Sequence, residues 1–234
     1  MITAPRLAPW HARFHGKLAG SVYAAPPASR ILAAQSLSAS GVRVHVDVMA
    51  DAEGLPEGVS MDELADIVAA VGPPRVEVHL IGSAEFVDSK LLRILQLRPA
   101  RVFLPWNAFT ERRAAALRAV GTSPWIALWR EWDVLDSSAP PWPATPDGLL
   151  VMLIEPGTRD ECSVERLDIV AACAGTVPVA VDGGVTESVA ELSLAAGART
   201  IIVGRALLDA PDHPAQTPDL LAISNEGTPW SSKK

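Results

Sequence analysis

The segment Val44–Met49 reads VHVDVM, with apolar and polar side chains in alternation. In a β-strand, successive side chains point to opposite faces, so His45, Asp47 and Met49 share one face and three valines share the other. The valine face can pack against helices. A buried histidine and carboxylate on the opposite face need partners, because an unpaired buried charge is costly. The segment therefore predicts a strand between a helical layer and a polar site.

Two further segments repeat this arrangement. In Val76–Leu80 (VEVHL), His79 lies opposite apolar residues, and in Val177–Gly184 (VPVAVDGG), Asp182 lies opposite valines. Two histidines and two aspartates at strand ends suit a divalent metal with four protein ligands. A structural ion pair is the alternative for the first strand alone. The additional histidine and aspartate at matching heights favour the metal site.

Short β-branched runs alternate with amphipathic stretches along the chain, which is typical of a parallel sheet with crossover helices. The predicted strands cover 17–23, 42–49, 75–81, 100–105, 124–129, 148–154, 177–182 and 199–204. The predicted helices cover 27–39, 61–71, 84–96, 108–119, 162–173, 186–196 and 205–209. The proline-rich interval 130–147 predicts a loop. This pattern favours a closed (β/α)8 barrel (TIM barrel), in which chemistry collects at the carboxyl ends of the strands.

The 234 residues fit one domain, since such barrels commonly run to about 200–250 residues. We expect the barrel over 17–212, an N-terminal extension over 1–16, and a partly disordered C-terminal tail over 213–234. The net charge of −7 and the scattered basic residues argue against a nucleic-acid or anionic-membrane partner. We expect no signal peptide, and the sequence has no apolar run of about 18 residues, the length that spans a membrane.

Both cysteines, Cys162 and Cys173, fall on one predicted helix and are too far apart to bridge. Free thiols in a reducing cytoplasm are therefore expected. The chain also has seven tryptophans, several of them in predicted loops and strand ends. They could wall a pocket or form the interface of a homo-oligomer, and the sequence leaves both alternatives open.

Two glycine turns follow the last two predicted strands. Gly183-Gly184 precedes a predicted helix, and Gly204-Arg205 follows the final strand. Glycine pairs suit tight turns that have no function. However, backbone N–H groups at a helix N-terminus also bind phosphate, and barrels commonly form such a site after their seventh and eighth strands. We therefore favour anion binding there, with Arg205 as a charged donor.

Together these segments resemble ribulose-phosphate 3-epimerases, with the motifs in the same order over about residues 17 to 212. Ser21 stands where the family has a substrate-contacting serine. The resemblance implies a (β/α)8 barrel of the ribulose-phosphate-binding type. The segments that carry it are His45–Met49 (HVDVM), Val78–Leu80 (VHL), Leu150–Gly157 (LVMLIEPG), Val181–Val185 (VDGGV), Ala196–Ala198 (AGA) and Val203-Gly204.

The resemblance also implies one divalent metal ion, usually zinc, with iron, manganese or cobalt as alternatives. The implied reaction inverts C3 of a 2-ketose phosphate, as between D-ribulose 5-phosphate and D-xylulose 5-phosphate. Removal of the C3 proton leaves an enediolate that a dication can stabilise, while one carboxylate takes the proton and the other returns one on the opposite face. The implied metal ligands are His45, Asp47, His79 and Asp182, and the implied acid/base pair is Asp47 and Asp182. The implied substrate contacts are Ser21, Met49, Met152, Gly157, Gly183, Gly184, Gly204 and Arg205.

The sequence departs from the family where the substrate would be held. Pro156-Gly157 is followed by TRDE instead of further glycines, and Asp160 and Glu161 would repel a phosphate if they pointed inward, although Arg159 could offset them. Arg205 stands where the family usually has serine, which moves part of a phosphate contact onto a guanidinium.

Three functions therefore stay open. The first is a C3-epimerase of a ketose phosphate, and the second is an epimerase or other enolising enzyme that acts on an unphosphorylated or different ketose. The third is a non-catalytic barrel that retains a metal. A decarboxylase of the same barrel group is disfavoured, because such enzymes have an Asp-x-Lys pair where Glu77-Val78-His79 stands here.

Overall fold

The computed structural model describes residues 4–132, 141–158 and 160–208. Eight parallel strands form a closed barrel in which each strand pairs with the next along the chain and the last pairs with the first. The predicted (β/α)8 barrel is therefore confirmed. The strands are β1 (Leu18–Ser21), β2 (Arg43–Met49), β3 (Val76–Ile81), β4 (Arg101–Pro105), β5 (Ser123–Leu128), β6 (Gly148–Met152), β7 (Val179–Asp182) and β8 (Thr200–Val203). The helices are α1 (Arg30–Ala39), α2 (Met61–Val71), α3 (Ala84–Leu97), α4 (Glu111–Ala119), α5 (Leu167–Cys173), α6 (Glu187–Ala195) and α7 (Arg205–Leu208).

Alternation along the strands separates two apolar layers. The valines of β2 and β3 are buried in the layer between barrel and helices. A second apolar cluster fills the barrel interior, and Trp125 is its largest member. Gly148 makes room for that indole, because a Cβ there would lie 2.4 Å from Trp125 Cε2. The members of the interior cluster are Ala19, Phe103, Trp125, Ala127, Leu150, Met152, Ala180 and Ile202.

Side-chain caps start four of the helices soon after the strands that precede them. Ser60, Ser83, Thr110 and Thr186 each accept the backbone N–H three residues ahead, at the first turns of α2, α3, α4 and α6. Such a cap satisfies one of the free N–H groups at a helix start and contributes about 1 kcal/mol. The caps therefore determine where the loops at the carboxyl end of the barrel end and these helices begin.

The structure corrects several predicted boundaries. Strand β1 ends at Ser21, because Val22–Ala24 forms a 3-10 turn. The predicted helix over 162–173 begins only at Leu167, and the prediction that both cysteines lie on one helix was wrong. Ser163 N donates to Leu153 O at 2.8 Å, so this stretch is tied to the end of β6 and cannot start a helix. Both cysteines are free thiols.

The chain before the barrel packs against it. Pro9–Phe14 forms a 3-10 helix whose Phe14 is buried, with Trp10 edge-on to that ring. The predicted tail over 213–234 lies outside the described residues, as do residues 133–140 of the predicted loop over 130–147. Within the described part of the chain, no helix combines the length and apolar character needed to cross a membrane.

Candidate active site

The inward faces of β2, β3 and β7 meet at the carboxyl end of the barrel. In the pairing of β2 with β3, Asp47 lies beside His79. Asp182 is the last residue of β7 and pairs with Met152 of β6. One nitrogen or oxygen atom from each of the four predicted ligands lies within 4.8 Å of those of the other three. The structure therefore brings together the predicted set, which is His45, Asp47, His79 and Asp182.

Asp47 is at the centre of this cluster. Its Oδ1 lies 3.1 Å from His45 Nε2 and 3.4 Å from His79 Nδ1. Its other oxygen, Oδ2, accepts a hydrogen bond from Ser21 Oγ at 2.8 Å. Asp182 Oδ2 approaches the same His45 nitrogen at 3.7 Å. Two carboxylates thus share one imidazole nitrogen, and a hydroxyl orients the nearer of them.

The cluster fits a divalent cation in its chemistry and its spacing. Imidazole nitrogen and carboxylate oxygen are ligands of zinc and of the other divalent transition metals. The His45 and His79 side chains are 0% and 2% exposed, which shields the site from water. Among the described residues, the buried His79 Nδ1 has no hydrogen-bond partner, although it points toward a carboxylate. A cation between these groups would give that nitrogen a partner.

The surroundings of the two aspartates shift their pKa values in opposite directions. Burial raises the pKa of Asp47, but the charge and hydrogen bond of His45, together with the nearby His79, outweigh it, so the net pKa falls far below its ordinary value. Burial raises the pKa of Asp182 to about 7, with further repulsion from Asp47 and only partial compensation by His45. At neutral pH, Asp47 is therefore ionised while Asp182 is divided between its two forms.

The two histidines also differ. Burial lowers the pKa of His45, but Asp47, Glu77 and Asp182 around the ring outweigh this, so the net pKa is well above the ordinary value. Burial dominates for His79 and lowers its pKa, despite the neighbouring Asp47. In the protein without metal, the cluster therefore holds a proton on His45 and a neutral His79.

A cavity of about 290 Å³ opens above the cluster. Asp47 and Asp182 are part of its wall, whereas His45 and His79 are not among its lining residues. The structure brings all the predicted substrate contacts to this one cavity. They are Ser21, Met49, Met152, Gly157, Gly183, Gly184, Gly204 and Arg205.

Backbone conformation requires glycine at some positions of the cavity wall but not at others. Gly183 has a φ of +111°, and a Cβ there would lie 2.8 Å from Ile154 N. Gly184 has a φ of +64°. A tight turn therefore accounts for both residues. Gly204 has no such constraint, because the nearest atom to a Cβ there would be Ala24 Cβ at 3.4 Å, an ordinary contact. Gly204 instead leaves open space in the cavity wall.

The acidic residues after β6 lie away from this cavity. Asp160 and Glu161 are exposed and do not line it, whereas Gly157 and Thr158 do. The repulsion that the sequence suggested for a bound phosphate is therefore weak. Arg159 lies outside the described residues.

Sequence reasoning missed Glu77. Its side chain is fully buried, and Oε1 lies 3.0 Å from His45 Nδ1. Burial raises its pKa, but His45 and Arg101 outweigh this, so the net pKa is below the ordinary value and the group is ionised. The signal was available in the sequence, because Glu77 stands two residues before His79 and so shares its inward face.

A second cavity of about 200 Å³ lies on the β3–β6 side of the first. The two cavities share Ile81 and Met152, and His79 lines the second one. Trp129 is also in its wall, so at least one of the loop tryptophans borders a pocket.

No protein-family model and no curated protein matches the sequence. Solved structures match the fold. A FabK mutant from Thermotoga maritima is 16% identical with a TM-score of 0.58, over 82% of this chain and 61% of that one, so the chain spans less than two thirds of FabK. Orotidine 5'-phosphate decarboxylase from Pyrococcus horikoshii is 14% identical with a TM-score of 0.55, over 83% and 92% of the two chains. Phosphoribosyl anthranilate isomerase from Thermus thermophilus is 14% identical with a TM-score of 0.56, over 81% and 88%. The chain thus has the fold of TIM-barrel enzymes, with a His/Asp cluster that could hold a metal ion.

Proposed function

We propose that the protein is a metal-dependent epimerase that inverts C3 of a 2-ketose phosphate through an enediolate. The observation that carries the proposal is the pairing of Asp47 and Asp182 in one cavity wall, with two buried histidines directly behind them. The family motifs in the sequence support it independently, because they assign the same four residues to a metal and the same two to proton transfer.

The opposed pKa values of the two carboxylates suit this chemistry. Inversion needs one group that accepts the C3 proton and a second that delivers a proton to the other face. Without metal, Asp47 is ionised, whereas Asp182, with a pKa of about 7, takes up a proton far more readily, which favours Asp182 as the group that delivers the proton. Environments that push two carboxylates apart in pKa are a common source of such acid/base pairs. In the reverse reaction the two roles exchange.

His45, Asp47, His79 and Asp182 would hold the ion. When bound, it would stabilise the negative charge that develops on the two oxygens of the enediolate. Ser21 positions Asp47 through its hydrogen bond to Oδ2.

Met49 and Met152, 7% and 3% exposed, supply an apolar wall. Such a wall keeps bulk water from the planar intermediate, so that the proton added at C3 comes from a carboxyl group and not directly from a water molecule.

Part of the cavity lining suits a phosphate. Gly183, Gly184 and Gly204 bring backbone to its surface, and Arg205 adds a cation. Because Asp160 and Glu161 do not line the cavity, the main reason to prefer an unphosphorylated ketose is weakened. Two ionisable carboxylates in an open cavity also favour an enzyme over a non-catalytic barrel.

The test is proton exchange at C3. Protein loaded with zinc, manganese, iron or cobalt is incubated with D-ribulose 5-phosphate in D2O, and the C3 proton signal is followed by NMR. We expect deuterium at C3 together with formation of D-xylulose 5-phosphate. Asp47→Asn and Asp182→Asn should each lower the rate by about 10²–10⁴-fold.

Asp147→Asn is the matched control, because Asp147 pairs with Arg118 and does not line the cavity. It should leave the rate unchanged. Absence of exchange in every metal form, across a panel of pentulose and hexulose phosphates, would contradict the proposal.

A further inference from the structure

Behind the proposed metal ligands lies a carboxylate to which neither the motif resemblance nor the proposed reaction assigns a role. Glu77 of β3 pairs in register with His45 of β2, two residues before the pair of Asp47 and His79. Its side chain is 0% exposed, deep in a barrel interior that is otherwise largely apolar. A carboxylate in such a place is strongly unfavourable unless it is paired.

Glu77 has two partners, one at each oxygen. Oε1 makes a hydrogen bond with His45 Nδ1 at 3.0 Å, whereas Oε2 has no hydrogen-bond partner among the described residues and forms an ion pair with Arg101 Nε at 3.5 Å. Arg101 is itself held in place, because its guanidinium stacks on Trp125 at 4.4 Å and donates to Thr200 Oγ1 at 3.3 Å. The interior therefore contains a continuous chain from His45 through Glu77 to an anchored arginine.

This chain determines which nitrogen of His45 can bind a cation. An ionised carboxylate only accepts hydrogen bonds, so the hydrogen must be on Nδ1 of His45. Its Nε2 then faces Asp47 and Asp182, at 3.1 and 3.7 Å. His79 has the opposite orientation, because its Nδ1 is the atom that points toward Asp47, at 3.4 Å.

We propose that Glu77 is the positioning residue of the metal centre, which holds the His45 ring with its hydrogen on Nδ1 and presents Nε2 to the ion. Arg101 keeps Glu77 in place and balances its charge. The two histidines then bind through different atoms, His45 through Nε2 and His79 through Nδ1. The inference rests on the proposed function in one respect, namely that the cluster binds a metal. A carboxylate behind a ligating histidine fixes the tautomer and increases the basicity of the ligand nitrogen.

The first test measures zinc affinity of the whole protein by competition with a chromophoric chelator. Glu77→Gln keeps the shape of the side chain but removes its charge, and we expect zinc affinity to fall about 10–100-fold. Glu63→Gln is the matched control, because Glu63 also pairs with a buried arginine, Arg30, but lies on α2 outside the barrel. Its zinc affinity should equal that of the wild type.

The second test needs no Glu77 variant. Long-range ¹H–¹⁵N correlation NMR of zinc-loaded wild-type protein with ¹⁵N-labelled histidine reports which ring nitrogen bears the hydrogen. We expect the hydrogen on Nδ1 of His45 and on Nε2 of His79, with the resonances assigned from His45→Asn and His79→Asn.

Each outcome supports or overturns the inference. A His45 ring that binds zinc through Nδ1 overturns it, as does Glu77→Gln protein that binds zinc as tightly as the wild type. In both cases the proposed epimerase activity stands. Wild-type protein that takes up no divalent ion overturns the proposed function, and this inference with it.

Discussion

His45 Nε2 lies 3.7 Å from Asp182 Oδ2, although the strands that carry them, β2 and β7, are not neighbours in the barrel. The same nitrogen lies 3.1 Å from Asp47 Oδ1. An imidazole nitrogen between two carboxylates is stable only when a positive charge is shared among them. In the protein alone that charge is a proton on His45, and a metal ion would replace it.

Zinc binding at neutral pH should therefore release protons. His45, with a pKa well above its ordinary value, holds a proton at pH 7, and Asp182, with a pKa of about 7, holds one in part of the molecules; a metal bound by both residues must displace these protons. We expect about one to two protons released per zinc at pH 7, with fewer at pH 8.5. Calorimetric titration in buffers of different ionisation enthalpy measures this number. Asp182→Asn should reduce it, and zinc binding without proton release at pH 7 would contradict the assignment.

In the metal-free protein, ionisation of Asp182 should lower the free energy of unfolding as the pH rises from about 4 to about 7. The folded-state pKa of Asp182, about 7, lies above the ordinary value of 3.8, so over this window the folded state holds a proton that the unfolded state has lost. Ionisation then costs stability, which is recovered at acid pH. Asp182→Asn should reduce the change in the free energy of unfolding across this window by on the order of 1–3 kcal/mol.

Urea unfolding in the presence of a chelator measures that slope. The depressed pKa of Asp47 acts mainly below its ordinary value of 3.8. The depressed pKa of His79 acts within the window with the opposite sign, but it is common to the wild type and Asp182→Asn, so the difference between the two proteins reports on Asp182. Excess zinc should abolish the dependence on Asp182. A wild-type slope identical to that of Asp182→Asn would mean that this carboxyl is not buried as the structure has it.

Arg205 should contribute to substrate binding rather than to proton transfer. It lines the cavity without belonging to the His/Asp cluster, and its guanidinium can pair with a phosphate. We expect Arg205→Met to raise KM about 10-fold or more with kcat nearly unchanged, since a hydrogen bond to a charged group contributes about 1.5–3 kcal/mol. Inhibition by inorganic phosphate should weaken in parallel.

Arg199→Met is the control for that variant, because Arg199 is exposed and does not line the cavity. Steady-state kinetics of the two variants distinguish a loss of substrate binding at Arg205 from a general effect of removing an exposed arginine. If both variants behave like the wild type, the anion is not held at Arg205, and an unphosphorylated substrate becomes the better hypothesis.

Gly183 and Gly204 should respond differently to alanine. At Gly183 the positive φ and the 2.8 Å approach of a Cβ to Ile154 N both oppose substitution, so Gly183→Ala should destabilise the fold by on the order of 1–3 kcal/mol. At Gly204 a Cβ makes only ordinary contacts, and Gly204→Ala should change stability by less than about 0.5 kcal/mol. Urea unfolding compares the two, and equal losses would contradict the distinction.

The alternation of residues was sufficient to predict the barrel and the inward direction of the four clustered side chains. A pleated strand turns every second residue to the same face, and this holds wherever the strand lies in the fold. The structure confirms the (β/α)8 barrel and brings these side chains together, while their roles as ligands and acid/base groups stay predictions. The predicted start of α5 was five residues too early, because Ser163 N donates a hydrogen bond to Leu153 O, a contact that the local sequence pattern does not predict.

Three features depend on which strands and loops come to lie side by side. Glu77 contacts His45 only because β2 and β3 pair in the register that places these two residues side by side. The pKa values of Asp47 and Asp182 diverge because barrel closure buries both carboxylates around one imidazole. Asp160 and Glu161 avoid the cavity because of the path of their loop. Periodicity along a chain specifies the face of a strand, whereas distances between strands arise when the barrel closes and every strand acquires its neighbours.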